Sequence, residues 1–236
     1  MLFLHGIRGH RGQWARQLEF FSKRFKAAAA DARGFGESDD YDGWLVFDDL
    51  IADVLRVARH FKSERAHIVG LAMGGRIGRH VALRHPERVA SLTLVSTNPG
   101  FDALSANEVR RFVTERPNRT PEAVKSLLGR GARAGALEEV QDGVARLREP
   151  SYLKMLEASV LQDRATPLEN LSVPTLVVAG DEDRVLPVEM TRAMAARIPG
   201  AEVALMQGVG HFPNLEQPER FNETVIDFIT RKEKQS

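Results

Sequence analysis

Six short apolar runs, each ending among Gly, Asp, Asn or His, set what this chain can fold into. They are LFLHG (2–6), KAAAADARG (26–34), AHIVGL (66–71), SLTLVSTNPG (91–100), PTLVVAGDED (174–183) and EVALMQGVGH (202–211). Continuous apolar runs of this length read as strands buried on both faces, and their polar ends as loops that can carry function. Between them lie amphipathic stretches with helical period, Gly12–Arg24, Val46–Phe61, Met73–His85, Pro187–Ile198 and Gln217–Arg231. The resulting βαβα order predicts an α/β fold with a mostly parallel sheet flanked by helices. Ligands of such sheets bind at the carboxyl ends of the strands.

One segment interrupts the alternation. From Phe101 to about Leu171 no strand pattern occurs, and four helical stretches follow one another: Ala106–Arg116, Pro121–Arg130, Leu137–Arg148 and Tyr152–Leu161. Thr120 and Pro121 supply an N-cap followed by proline at the first helical position. The reading is a core of residues 1–100 and 172–236 with a helical cap inserted at 101–171, lying over the strand ends as a lid.

Charge and cysteine content narrow the function classes. The 33 basic and 32 acidic side chains leave a formal net charge of +1, so no whole-molecule field argues for nucleic acid or a membrane as partner. A small molecule is the expected partner. The chain has no cysteine, which removes disulfides, thiolate catalysis and cysteine-ligated metals. No run reaches the ~20 apolar residues of a membrane span, and the N-terminus has no signal-peptide pattern, so a cytoplasmic location is expected. No cofactor is expected.

Four motifs carry the chemistry. HGIRGHRGQW places His5, Gly6, Gly9 and Trp14 in the spacing His-Gly-x-x-Gly-x-x-x-x-Trp, and DARGFGESD contributes Asp31, Arg33, Gly34, Gly36 and Ser38. GLAMGG (70–75) sits between a strand and a helix. PTLVVAGDEDRVLP and GVGHFPNLEQPERF each follow or extend a strand and bring an acid and a histidine to strand ends. In this order the four motifs resemble the α/β-hydrolase family in its compact, capped form, along nearly the whole chain. The resemblance implies that GLAMGG is the nucleophile elbow, a tight strand-turn-helix that presents a serine, with the acid and the histidine following in chain order. It also implies two further strands ahead of the first motif, for which the sequence beginning MLFLHG leaves no room; either the sequence starts late or the sheet is shortened, and the expectation that follows holds for a shortened sheet. The strand around Ala27–Asp31 is then expected at an open sheet edge, which invites a homo-oligomer.

The roles follow from chemistry and resemblance together. A histidine that takes a proton from a nucleophile needs a carboxylate to orient its ring, which points to His211 with an acid of the DED run. Asp181 and Asp183 are rivals, and the family spacing Gly-x-x-Asp-x-x-x-Pro through Gly180, Asp183 and Pro187 favours Asp183. The backbone N–H groups of Ile7 and Met73 fall where the family places its oxyanion donors. Arg8, next to Ile7, either holds a substrate carboxylate or braces its loop, and Trp14 is assigned to the substrate site with it. His5 is expected to stabilise its own loop. The sequence points to no carboxylate partner for His10, His60, His67, His80 or His85. Asp181–Asp183 lacks a second oxygen cluster, so no metal is expected. The arginines of the insertion, Arg110, Arg111, Arg116, Arg130, Arg146 and Arg148, are expected mostly on a solvated face, with one or two turned inward that the sequence does not single out.

At the elbow itself the residue is Ala72, whose methyl cannot attack a carbonyl. Three explanations stay open: a serine removed by substitution; a member in which the His–Asp pair acts on water or a substrate proton; or a binding protein that keeps the fold. The resemblance implies a hydrolase of a small ester, lactone or activated carbon–carbon bond, with enol-lactone and ring-cleavage-product hydrolases as functional neighbours. With alanine at position 72 the chain as written is expected to be nearly inert as an esterase.

Overall fold

Three residues of the first strand already show both faces of the sheet buried. In β1 (Leu2–Leu4), Phe3 packs its ring against Trp14 at 5.1 Å and Phe21 at 5.7 Å, while Leu4 lies on the opposite face, toward Gly78. Successive side chains of a strand alternate faces, so this strand needs helices on both sides. The computed structural model describes residues 1–100, 120–162 and 167–235.

Around β1 the chain lays down β2 (Ala28–Ala30), β3 (Ala66–Leu71), β4 (Val89–Val95), β5 (Thr175–Gly180) and β6 (Glu202–Met206), paired in parallel in the order β2-β1-β3-β4-β5-β6. The chain first steps outward from β1 to β2 and then returns to β3 on the other side of β1. Strand order therefore reverses between β1 and β3, and that is where such a sheet opens a crevice at its carboxyl end. The loop after β1 and the turn after β3 both leave the sheet at that end. β2 lies at one edge of the sheet, as the sequence leads one to expect, with no strand on its outer side among the described residues.

The helices follow the sequence patterns with shorter ends. A 3₁₀ turn (Arg11–Trp14) leads into α1 (Ala15–Phe21), followed by α2 (Phe47–His60) and α3 (Met73–Arg84). α3 lies over β3 and β4, where a Cβ on Gly78 would stand 2.9 Å from Ile68 and 3.2 Å from Leu92. Between β4 and β5 come α4 (Pro121–Lys125), α5 (Ala136–Ala145) and α6 (Glu149–Gln162). The expected helix Ala106–Arg116 lies outside the described residues. α4 begins as its sequence predicts, with the Thr120 hydroxyl accepting from the Ala123 N–H at 3.3 Å. It stops at Lys125 rather than Arg130 because residues 127–131 give their backbone bonds to the loop after β6: the Gly131 N–H donates to Gly208 O at 2.8 Å. α7 (Val188–Ala196), a short α8 (Pro213–Glu216) and α9 (Pro218–Glu233) complete the chain. No helix among the described residues is long and apolar enough to cross a membrane.

Two side chains find partners to which the sequence does not point. Arg148 is an arginine of the insertion that turns inward: its guanidinium donates to the carbonyls of Gly34 at 3.2 Å and Ser38 at 2.5 Å, pinning α6 to the loop after β2. His10 does have a carboxylate partner, Asp142 on α5, at 2.9 Å, which its distance in sequence concealed. Arg130 and Arg146 are exposed, each paired with an acid, Glu182 and Asp142.

The closest packing lies at the turn after β3. A Cβ on Gly70 would fall 2.4 Å from the backbone of Gly74, and one on Gly74 would fall 2.2 Å from Leu4 O. These are backbone atoms that cannot swing aside. Gly74→Ala is therefore expected to lower unfolding free energy by roughly 1–3 kcal/mol, the range for overpacking. Urea denaturation checks this, and an unchanged midpoint would show that the turn tolerates a wider spacing.

Candidate functional site

Ala72 is the single residue between β3 and α3, with φ 48° and ψ −109°. An L-residue reaches this region only under constraint, at ~1–3 kcal/mol. The constraint is visible on each side. The Ala72 N–H donates to Val95 O at 2.8 Å, its carbonyl accepts from the Arg76 N–H at 3.1 Å, and Gly70 and Gly74 let strand and helix close on each other. A Cβ placed on Gly6 would lie 3.5 Å from the Ala72 methyl, so the methyl borders the loop after β1.

That loop and the start of α3 bring two free donors together. As the first residue of a helix, Met73 has an N–H without an intrahelical acceptor. Among the described residues neither it nor the Ile7 N–H donates to any acceptor. His5 is buried and does hold its own loop: Nδ1 donates to Gly6 O at 2.8 Å and Nε2 accepts from the Ala32 N–H at 3.0 Å. Arg8 is half-buried, and its guanidinium has no hydrogen-bond or ionic partner among the described residues. Its carbonyl lies under α5, 2.6 Å from where a Cβ on Gly143 would be. Trp14 is corrected: its indole is fully buried between Phe3 and Phe221, so it is a core residue and does not line the crevice.

The three acids of the DED run separate by partner. Asp181 accepts from the Gly208 N–H at 2.6 Å, and Glu182 pairs with Arg130 at 2.9 Å. Asp183 Oδ2 meets Nδ1 of His211 at 2.8 Å, while its Oδ1 accepts from the N–H groups of Val185 (2.8 Å) and Leu186 (2.9 Å). Burial would raise the Asp183 carboxyl, but the His211 charge and hydrogen bond, with the two N–H donors, outweigh it and hold it below its ordinary value. With Nδ1 bonded to Asp183, His211 has Nε2 free for other chemistry. Among the described residues no group of three His, Asp or Glu is arranged to hold a metal.

One residue of this site is absent from the sequence reading. Glu216, fully buried in α8, accepts from the N–H groups of Gly210 (2.9 Å), Phe212 (2.9 Å) and Gly129 (2.7 Å), so it grips the backbone on both sides of His211. Its trace in the sequence is an acid five residues after His211. A cavity of about 380 Å³ lies elsewhere, between β1, β2 and α2. His5 and Met73 reach it, but Ala72, Asp183 and His211 do not, so the geometry at the elbow and not this cavity marks the candidate site.

A sequence profile of the alpha/beta hydrolase family matches residues 1–224. The chain belongs to that family. Among its relatives, the 3-oxoadipate enol-lactonase 2 of Acinetobacter baylyi is 25% identical over 98% of this chain and 88% of its own. A putative carbamate hydrolase of Rhizobium rhizogenes is 29% identical over 95% and 90%. The crystal structure of an enol-lactonase from Burkholderia xenovorans LB400 is similar at a TM-score of 0.82, with 26% identity, over 97% of this chain and 90% of that one. For an alpha/beta hydrolase the strand-turn-helix at Ala72 and the chain order of turn, acid and histidine are those of the fold.

The Asp183 pair has a pH signature. Because the folded-state carboxyl is held below its ordinary value of 3.8, its stabilisation is present above about pH 4 and is lost as pH falls through the lowered value. Asp183→Asn is expected to melt lower than the unsubstituted chain at pH 7 and to lose less on acidification below pH 4. Thermal melts from pH 3 to 7 check this, and parallel curves would contradict it.

Proposed function

We propose that this site is a hydrolase site of the serine type in which alanine stands at the nucleophile position. The observation that supports it is the strained turn at Ala72, held beside two unused N–H donors and in the same chain as a buried His–Asp pair. A methyl group gains nothing from such a conformation, whereas a hydroxyl there would be lifted out of strand and helix toward an acyl carbon.

The chemistry follows from the positions. A hydroxyl at position 72 would give its proton to Nε2 of His211 as its oxygen bonds to the substrate carbonyl carbon. The carbonyl oxygen takes up negative charge and is met by the N–H groups of Ile7 and Met73. Asp183 keeps the ring in the required tautomer and stabilises its cation. The proton then passes from His211 to the departing alkoxide or enolate, leaving an acyl group on the residue. Water, deprotonated by the same histidine, releases the acid and regenerates the hydroxyl. The substrate class we assign is a small ester, lactone or activated carbon–carbon bond. The names of the enol-lactonase relatives support the lactone in particular. The helices between β4 and β5 serve as its lid, and the open edge of β2 is the surface through which a second copy would associate.

Ala72→Ser is expected to raise hydrolysis of aryl esters or enol-lactones by ~10³-fold or more over the unsubstituted chain, since loss of the nucleophile leaves only binding and oxyanion stabilisation. Adding His211→Ala or Asp183→Asn should return the rate to that of the unsubstituted chain. Steady-state assays over a panel of esters, lactones and vinylogous diketones read this. If Ala72→Ser folds and turns over none of them, the hydrolase reading fails, and the His211–Asp183 pair is left to act on water or a substrate proton, or the crevice only to bind.

Arg8 sets the charge of the substrate. Its unpartnered, half-buried guanidinium beside Ile7 supports recognition of a substrate carboxylate. Arg8→Met is expected to weaken binding of carboxylate ligands by about 1.5–3 kcal/mol, the scale of a hydrogen bond to a charged group, and to spare neutral analogues. Titration calorimetry on the unsubstituted chain measures this without turnover. Equal losses for both ligand types would assign Arg8 to holding its loop.

A further inference from the structure

The segment that follows α4 and the loop that carries His211 touch backbone to backbone. A Cβ on Gly129 would fall 2.3 Å from Gly208 O, and one on Gly210 would fall 2.3 Å from Leu127 O. The two strips exchange hydrogen bonds on either side of this contact: the His211 N–H donates to Leu127 O at 2.7 Å, and the Gly131 N–H to Gly208 O at 2.8 Å. Between those bonds sits the Glu216 side chain. Its Oε2 accepts from Gly129 and Gly210, its Oε1 from Phe212, so one carboxylate spans both strips.

Three N–H donors meet the two oxygens of one carboxylate, a group that only accepts when ionised. A glutamine would offer one acceptor oxygen and an NH₂ group facing N–H groups, so at least one donor would be left unsatisfied. The cost of holding a carboxylate in this place is large, because Glu216 is fully buried and no cation touches it among the described residues. Burial raises its carboxyl above the ordinary value, against the three N–H donors and the His211 charge. The charged groups of the neighbouring elements are otherwise engaged. Asp181 holds Gly208, Glu182 pairs with Arg130, Asp183 with His211, and Arg133 with Glu139, while the Arg133 N–H donates to Glu216 O at 3.1 Å. A merely structural position could be filled by an apolar side chain with the N–H groups turned elsewhere. A carboxylate kept here holds the N–H groups of the residues just before and just after His211 and so bears on the placement of the imidazole.

We propose that Glu216 is a positioning residue, fixing the His211 ring by clamping its loop to the segment 127–131 of the helical insertion. The proposal rests on His211 being the base of the site. It implies that displacement of the insertion is felt at the imidazole.

The test has two arms. In the Ala72→Ser background, Glu216→Gln is expected to lower kcat by about 10²-fold with little change in KM, the loss that follows from misplacing a catalytic group by about 1 Å. In the unsubstituted chain, Glu216→Gln is expected to shift the His211 imidazole ¹⁵N resonances. Unchanged imidazole signals in folded Glu216→Gln overturn the proposal, whatever happens to kcat. If Glu216→Gln does not fold, the unsubstituted chain decides: on acidification the imidazole signals should move with the Glu216 carboxyl ¹³C signal, and imidazole signals blind to that titration overturn the proposal. If Ala72→Ser with Glu216 intact shows no turnover, the hydrolase reading fails by itself, and the imidazole arm still decides the role of Glu216.

Discussion

The close contact of β3 with α3 at Gly70 and Gly74 is the constraint on which the rest of the site depends. With no side chain at either position the helix starts within 2.4 Å of the strand's own virtual Cβ, and one residue must turn the chain. That residue, Ala72, takes φ 48°. The direction of α3 then follows, and with it the exposure of the Met73 N–H and the packing of Gly78 over Ile68 and Leu92. The reversal of strand order between β1 and β3 brings the loop of Ile7 and Arg8 to the same end of the sheet. The meeting of the loop after β1 with the turn after β3 is thus a property of the scaffold.

Electrostatics at the other side of the crevice works by assignment of partners. Four acids, Asp181, Glu182, Asp183 and Glu216, lie on or next to the loops after β5 and β6. Each has a different partner set, and the shifts differ in sign: Asp183 is held low by His211 and two N–H groups, whereas burial lifts Glu216, which has only N–H donors in contact. A carboxylate that faces an imidazole stays ionised and orients it. One that faces peptide groups alone orders the backbone, at a higher cost in desolvation.

Much of this was legible in the sequence, for physical reasons. Buried parallel strands have to be apolar on both faces, so the runs around Ile68, Leu92 and Val177 mark themselves, and the turn glycines 70 and 74 stand out because no other residue fits. Asp183 was chosen over Asp181 from the spacing to Gly180 and Pro187, and His211 lies beside it. What could not be read is what depends on contacts between distant segments. Trp14 matches a motif position, yet its indole is buried against Phe3 and against Phe221, which lies 207 residues further along the chain; its aromatic partners come from the sheet and from α9. Arg148, His10 and Glu216 likewise find their partners in other segments, and α4 ends early because its continuation is claimed by the loop of His211.

The central claim is that the backbone around Ala72 remains built for a nucleophile. Its most direct test is covalent: Ala72→Ser treated with a diisopropyl fluorophosphate-type reagent, with the adduct located by peptide mass. The account predicts one equivalent on position 72, at a rate that collapses when His211→Ala is added. No adduct, or modification spread over other serines at a rate indifferent to His211, would contradict it.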